Sequence, residues 1–303
     1  MKRHEIAIPV PRGFRFEQMV TSHGWYRLAP FRWDEERSVL ERAEATASSS
    51  AIDLEIRFDR ELIFSSHVSL KPWRKLIESR ARRMFQLDVQ LDDFHAICRK
   101  NESHRRVAAS GYGRLLCGST LFEDAVKIIL TTNTTWRQTV RMAGLLVDRC
   151  GPTSASGRKA FPSPADIAAV SPGQLQTDCR LGYRAAFIHS LASGILDGTF
   201  DLDLISDQQQ DTEALFRSYR SLPGIGPYGA AHLLAMDGRH DFIAVDTEFR
   251  KFVREKYHRG RAVADATMLR RYAKWGKWKY LAYWSELWDS IGGELPEPAP
   301  RQE

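Results

Sequence analysis

Two helical patterns joined by five residues constrain this chain more than any other feature. Asp211 stands where it can cap a helix that turns Leu215, Phe216 and Tyr219 to one side. That helix must stop at Leu222-Pro223-Gly224-Ile225-Gly226. Pro227 then suits the first turn of a second helix, because the N–H that proline lacks is one a helix start leaves unpaired anyway. Glycines on both sides of one apolar residue predict a tight turn, with Ile225 between the helices and the backbone open to close approach. Unpaired N–H groups at the start of the second helix offer a place for a phosphate. A plain turn between packed helices would use the same residues, so the turn alone does not decide function.

The residues beyond the turn narrow the choice. The second helix, Tyr228 to about Asp237, ends at Gly238, and the apolar run Phe242-Ile-Ala-Val leads to Asp246. Behind Asp246, Phe249, Phe252 and Val253 recur at helical spacing, which places the aspartate at a helix N-cap. Capping alone favours aspartate there. A helix N-terminus also favours the ionised carboxylate, so the expectation is a charged group held in a partly apolar setting.

Elsewhere the chain reads in two parts, a β-rich region over 1–75 and a helical region over 76–303. Ile52-Asp-Leu-Glu-Ile-Arg-Phe alternates as a strand should, Glu61-Leu-Ile-Phe suggests another, and Gly24-Trp-Tyr-Arg-Leu reads as a third. From Trp73, Leu76 and Ile77 onward the period becomes helical. Thr120 and Glu123 form a capping-box pattern ahead of Phe122, Ala125, Val126 and Ile129. A helix from about Arg137 should end at Cys150-Gly151 with the glycine in a left-handed cap. Ser163-Pro164 should start another, and Tyr183–Asp197 should form one that stops at Gly198. The fold class expected is α+β: a small antiparallel sheet followed by a mostly helical region. Ser48–Ser50 and the proline-rich tail Pro296–Pro300 are expected to fray.

Composition excludes several classes. The sequence has no apolar run near the ~20 residues a membrane helix needs, and its first residues lack a secretory pattern, so a cytoplasmic location is expected, on the nucleoid if the chain is bacterial. Cys98, Cys117, Cys150 and Cys179 form no CxxC pair, which argues against zinc and against an iron–sulfur cluster and for reduced thiols. Among 303 residues the net charge is +6, with basic residues recurring through Lys71–Arg83, Arg99–Arg106, Arg250–Arg261 and Arg270–Lys279. Each run alone reads as a solvated helix face; together they suit a polyanionic partner.

Leu222-Pro-Gly-Ile-Gly, a short helix and then Val245-Asp246 resemble the motif of the helix-hairpin-helix GPD superfamily of DNA glycosylases. Phe122-Glu-Asp-Ala-Val, Phe161-Pro-Ser-Pro and Leu181-Gly-Tyr-Arg-Ala occur in that family's order. The β-rich start is similar to the N-terminal domain of the 3-methyladenine DNA glycosylase II and 8-oxoguanine DNA glycosylase branches. The resemblance implies a monomeric enzyme that binds double-stranded DNA containing a damaged base, with Asp246 as the catalytic carboxylate and Gly224 and Gly226 against DNA. It implies that carbonyls near Arg220, Leu222 and Ile225 hold a monovalent cation, K+ or Na+, with no cofactor required for chemistry. Asn133 resembles the residue that fills the gap left by a flipped nucleotide, and Arg184 the contact to the orphaned opposite base; ending a helix and lying on the surface are their ordinary alternatives.

One departure bears on reaction type. Members that also cut the strand carry lysine where this sequence has Tyr228, and a phenol cannot form a Schiff base. Lys251, five residues past Asp246, points to a different helix face. The implied enzyme is monofunctional, with alkylated purines slightly favoured. Tyr228 and Trp136 are the candidate walls of the base pocket, with Trp25 and Tyr26 behind them. The rival readings are a non-catalytic DNA-damage-binding module and a glycosylase for oxidised purines or mismatched pyrimidines.

Overall fold

A computed structural model describes residues 3–47, 50–206 and 209–290. The proline-rich tail, and Ser48 and Ser49 of the serine run, lie outside the described residues. Five strands, β1 (His4–Ile8), β2 (Arg32–Asp34), β3 (Val39–Ala47), β4 (Ser50–Asp59) and β5 (Glu61–Ser66), form one antiparallel sheet in the order β1-β5-β4-β3-β2. The alternation seen in sequence sets which face is covered: Ile52, Leu54 and Ile56 of β4 are buried, as are Leu62 and Phe64 of β5. In register, Ile56 pairs with Leu40 on one side and Phe64 on the other, so apolar residues align across three strands.

Helices fill the remainder, in an α+β arrangement as expected. Those that position the site are α1 (Arg74–Met84), α2 (Asp92–Lys100), α3 (Leu121–Thr131), α4 (Trp136–Cys150), α5 (Arg184–Leu196), α6 (Thr212–Arg220), α7 (Pro227–Met236), α8 (Thr247–His258) and α9 (Lys279–Ser290). No described helix is long and apolar enough to cross a membrane. The sheet's inner face and helices α1, α3, α4, α5 and α6 share one continuous core. A second core gathers α2, α8 and α9 around Phe94, Phe249 and Leu281. Helix α7 belongs to both: Ala230, Leu233 and Leu234 face the first core, Ala231 and Ala235 the second. Its N-terminus therefore opens on the seam between two packed bodies, where binding sites commonly form.

Several local expectations change. Gly24–Arg27 is a turn of 3-10 helix and not a strand. This segment is pinned side-on instead of pairing with the sheet. The Leu116 N–H donates to Ser22 Oγ, the Trp284 Nε1–H to the Ser22 carbonyl, and the Trp25 Nε1–H to Asp124. Thr120 caps α3 by accepting the Glu123 N–H, but the Glu123 carboxylate does not return the bond. It accepts instead from the Ser119 N–H, Arg42 and Lys127, all within a buried ionic cluster. Helix α4 ends at Gly151 as expected, yet the glycine is extended (φ −71°, ψ 144°) and not left-handed. Glycine is needed there because a Cβ would lie 2.1 Å from the Ala160 carbonyl oxygen. Ser163 does start a helix with a full capping box closed by Asp166, and Gly198 takes φ +81° just past α5. All four cysteines are free thiols; Cys98, Cys117 and Cys179 are buried and Cys150 is half-buried.

Candidate active site

The hairpin forms as its residues dictate. Asp211 caps α6 by accepting the Ala214 N–H at 2.8 Å, and Leu215 and Tyr219 are buried while Phe216 stacks on Phe242. The chain turns at Leu222, whose carbonyl accepts the Ile225 N–H at 3.1 Å, and Ile225 is buried against Gly229 of α7. The two glycines have different reasons. Gly224 sits at φ +76°, and a Cβ there would come within 2.9 Å of Phe187 on α5. Gly226 is extended and has nothing within 4 Å of where a Cβ would sit. The open approach therefore belongs to Gly226, at the start of α7, where the free N–H groups and the helix dipole suit an anion. Gly224→Ala should cost about 1–2 kcal/mol of stability. Gly226→Ala should leave the melting temperature unchanged and weaken DNA binding. Thermal unfolding and fluorescence-anisotropy titration with duplex DNA read the two effects separately.

The turn carries the carbonyls of Arg220, Leu222 and Ile225 within six residues. Neutral carbonyl oxygens suit a weakly hydrated monovalent cation better than a thiophilic metal. Among the described residues no three His, Cys, Asp or Glu side chains converge on a point that could hold a metal ion.

Asp246 stands at the N-cap of α8, where its Oδ1 accepts the Phe249 N–H at 2.7 Å. Its pKa is nonetheless raised. Burial pushes it up and outweighs the Phe249 N–H, which pulls it down. The helix terminus by itself would favour the ionised form, as expected from sequence; the surrounding protein reverses the balance. A more basic carboxylate results.

Facing Asp246 is Tyr228, on the first turn of α7. Burial first, and then the neighbouring Asp246 charge, push the phenol up to about 12, against the Thr131 hydroxyl, which lowers it. The phenol stays neutral. The Tyr228 ring meets His232 edge-on at 4.6 Å, one helical turn further along α7. His232 in turn contacts Tyr280 and Trp284 of α9, whose rings stack at 5.8 Å. Across Trp284 lies His23, stacked on Trp25 at 4.8 Å. Trp136, 37% exposed, lies over Gly24 so closely that a Cβ there would meet its ring at 2.4 Å. Trp25, in the sheet-side core with Tyr26 packed against it, and Trp136, over Gly24, stand at the His23 end of this series of rings, and Tyr228 beside Asp246 stands at the His232 end. Sequence reasoning misses His23, His232 and Trp284. His232 has a signal, its four-residue offset from Tyr228; the other two have none.

Asn133 forms the exposed tip between α3 and α4, in the left-handed region at φ +46°, which asparagine tolerates better than most residues. Its Nδ2 donates to the Tyr183 hydroxyl at 3.3 Å. Arg184 is buried, not a surface charge, and its guanidinium donates to the carbonyls of Thr132 and Asn133, the latter at 3.2 Å. As it stands, Arg184 braces the Asn133 tip. Beside them a hollow of about 280 Å3 is walled by Gln138, Arg141, Arg180 and Tyr183. A larger cleft of about 920 Å3 opens at the opposite end of α7, between Lys75, Arg82, Gly238 and Trp278, and takes no part in this site.

A hairpin with an anion-ready helix start, a carboxylate beside neutral aromatic side chains and an exposed turn tip are thus brought together. The profile of the HhH-GPD superfamily of base excision DNA repair proteins matches residues 126–277, half of the chain. The chain belongs to that superfamily. Comparison with curated protein sequences finds no match. Among solved structures, the Archaeoglobus fulgidus 3-methyladenine DNA glycosylase is 19% identical, with a TM-score of 0.72 over 96% of this chain and 99% of its own. The apo Clostridium acetobutylicum 8-oxoguanine glycosylase/lyase is 13% identical, with a TM-score of 0.73 over 94% of this chain and 96% of its own. The Clostridium enzyme with double-stranded DNA containing cytosine opposite 8-oxoguanine gives 14% and 0.71, over 92% of each chain. At such identities these likenesses speak for the fold. As an HhH-GPD protein the chain is a DNA-binding base-excision glycosylase whose hairpin occupies α6 to α7.

Proposed function

We propose that this protein is a monofunctional DNA N-glycosylase that removes a damaged base, an alkylated purine by preference, through Asp246-assisted hydrolysis. The observation that carries the reading is the pairing of Asp246 with Tyr228 at the start of α7, where a strand-cutting member would present an amine. A phenol has no amine nitrogen with which to form a Schiff base at C1′, so water is the nucleophile. Lys251 lies exposed on α8, five residues past Asp246 and on a different face of that helix.

Breaking the N-glycosidic bond builds positive charge on the deoxyribose. Asp246, held by the Phe249 N–H, stabilises that charge and orients or deprotonates the water. The N–H groups beyond Gly226 take a backbone phosphate, and a monovalent cation on the Arg220, Leu222 and Ile225 carbonyls would neutralise it further. The target base must leave the stack. Asn133 occupies the gap, and the Arg184-braced tip meets the opposite base. Preference for alkylated purines rests on the pocket's electrostatics: His23 and His232 are driven down to about 3 and about 4 by burial, so the walls are neutral rings. Neutral aromatic faces beside one carboxylate favour a cationic base. The polar hollow beside Asn133 favours a second reading, an oxidised-purine enzyme that inspects the opposite base.

Mass spectrometry of bases released from alkylated, oxidised and deaminated DNA tests the reading. The expected result is free methylated purine and an abasic strand that breaks only on alkali treatment. Borohydride-trapped protein–DNA adducts would remove the monofunctional part. Tight lesion binding with no base released would make the protein a damage-binding module.

A further inference from the structure

His23 has an unused polar atom in an otherwise completed pocket wall. The residue is buried, at 7% exposure, and burial, with His232 and Lys127 nearby, keeps its imidazole neutral. Its Nδ1 lies 3.1 Å from Ser22 Oγ, and its Nε2 is buried with no hydrogen-bond partner. Ser22 Oγ accepts the Leu116 N–H at 3.1 Å and still has its own proton to give to His23 Nδ1. In the tautomer that receives it, Nε2 carries the hydrogen, and a buried N–H stands without an acceptor. Such a group costs stability unless a partner arrives, so a native orphan calls for a cause.

The segment around it is rigid. The Ser22 carbonyl is held by the Trp284 Nε1–H at 3.1 Å, and Trp25 is held by Asp124 at 2.9 Å. His23 is thus clamped from both sides, with Trp25 as a stacked backing at 4.8 Å. Gly24, the next residue, lies under Trp136, whose ring is partly exposed and attached at the first turn of α4. For a base to reach His23, the Trp136 ring must swing away from Gly24. Trp284 contacts both His23 and His232, and His232 meets Tyr228, which lies beside Asp246.

We propose that His23 is a base-reading residue: its Nε2–H donates a hydrogen bond to a ring nitrogen or carbonyl oxygen on the extruded base. The inference rests on the glycosylase reading above and adds to it the selecting contact. A purine offers such acceptors on more than one edge, whereas a base that presents only donors or C–H to His23 leaves the N–H buried and unpaired. Discrimination of this kind, by a site built around one polar group, exceeds what a purely apolar pocket achieves.

Three substitutions separate the donor from the ring. His23→Gln places an amide N–H near the position of Nε2; His23→Asn reaches only the position of Nδ1; His23→Phe keeps the stacked ring and no donor. Release of N3-methyladenine and N7-methylguanine from dimethyl-sulfate-treated DNA is measured as kcat/KM. Expected is release by His23→Gln within about threefold of wild type, and losses of about 10- to 100-fold for His23→Asn and His23→Phe. All four proteins should bind a duplex with a tetrahydrofuran abasic analogue equally, because that duplex has no base to read. Wild-type rates in both His23→Asn and His23→Phe overturn the proposal, as does an equal loss in His23→Gln and His23→Asn. A fall in tetrahydrofuran-duplex affinity that matches the fall in release marks a structural role and also overturns it. If wild type acts on oxidised or deaminated bases instead, the same ratios are read on 8-oxoguanine or hypoxanthine duplexes. A wild type that releases no base from any of these DNAs brings down the glycosylase reading itself, and this proposal with it.

Discussion

Asp246→Asn should abolish base release, lowering the single-turnover rate by about 10^2- to 10^4-fold, while the folded protein and its grip on abasic-site DNA persist. Asparagine is as good an N-cap as aspartate, so the Phe249 N–H keeps an acceptor and α8 keeps its start. The substitution therefore removes charge and basicity and leaves the helix cap. That distinguishes the two roles that the position combines. In free-energy terms the expected loss is about 3–5 kcal/mol of transition-state stabilisation, too large for a rearranged surface contact. The pH profile gives an independent check. Burial raises the Asp246 pKa above its ordinary 3.8, and the active form in the proposed mechanism is the carboxylate. Activity should fall as pH drops through that raised value, so the acid limb of kcat/KM should lie above 3.8. An asparagine variant that keeps more than about a tenth of wild-type release would remove Asp246 from the chemistry.

How far such a site can be read from sequence depends on how local its causes are. The hairpin is legible because each of its parts answers to a short-range rule: a capping aspartate, a glycine at positive φ, a proline at the first helical position. Asp246 is legible as a cap for the same reason. Its raised pKa is not, because burial is set by residues packed from elsewhere in the chain. The far wall of the pocket is invisible for a stronger reason. Ser22 and Trp284 meet across 262 residues, and no period or spacing connects them. The same tertiary pinning turns Gly24–Arg27 away from the strand its composition suggests. Arg184 shows the limit in the other direction. A sequence places the arginine beside Asn133 in function, but only packing shows its guanidinium directed onto the tip's own carbonyls. Glu123 and Asp124, in sequence a simple first-turn pair on α3, are both fully buried.

That burial has a measurable consequence at Arg83. The guanidinium, on α1, binds Asp124 of α3 at 2.7 Å and Asp237, just past α7, at 3.0 Å. Burial alone would lower its pKa, but the two carboxylates outweigh that and raise it. Both carboxylates serve other elements. Asp124 also accepts the Gly118 N–H and the Trp25 indole N–H, and Asp237 accepts the Tyr219 hydroxyl of α6. One cation therefore ties the helix after the sheet to the hairpin and, through Trp25, to the pocket wall. Arg83→Ala would take from two buried carboxylates the cation that acts most strongly on each, leaving Asp124 with Lys127 and Asp237 with Arg239. The expected cost is about 3–5 kcal/mol, seen as a fall in melting temperature of roughly 5–15 °C. Replacing all three groups together, as Arg83→Met with Asp124→Asn and Asp237→Asn, should recover most of that loss, since the penalty lies in the unpaired charges and not in the missing bridge. Calorimetric unfolding of the single and triple variants decides the matter. A single variant within about 1 kcal/mol of wild type would mean that water or a rearranged arginine already compensates the two carboxylates, and the tie between hairpin and pocket wall would then have to be sought in apolar packing alone.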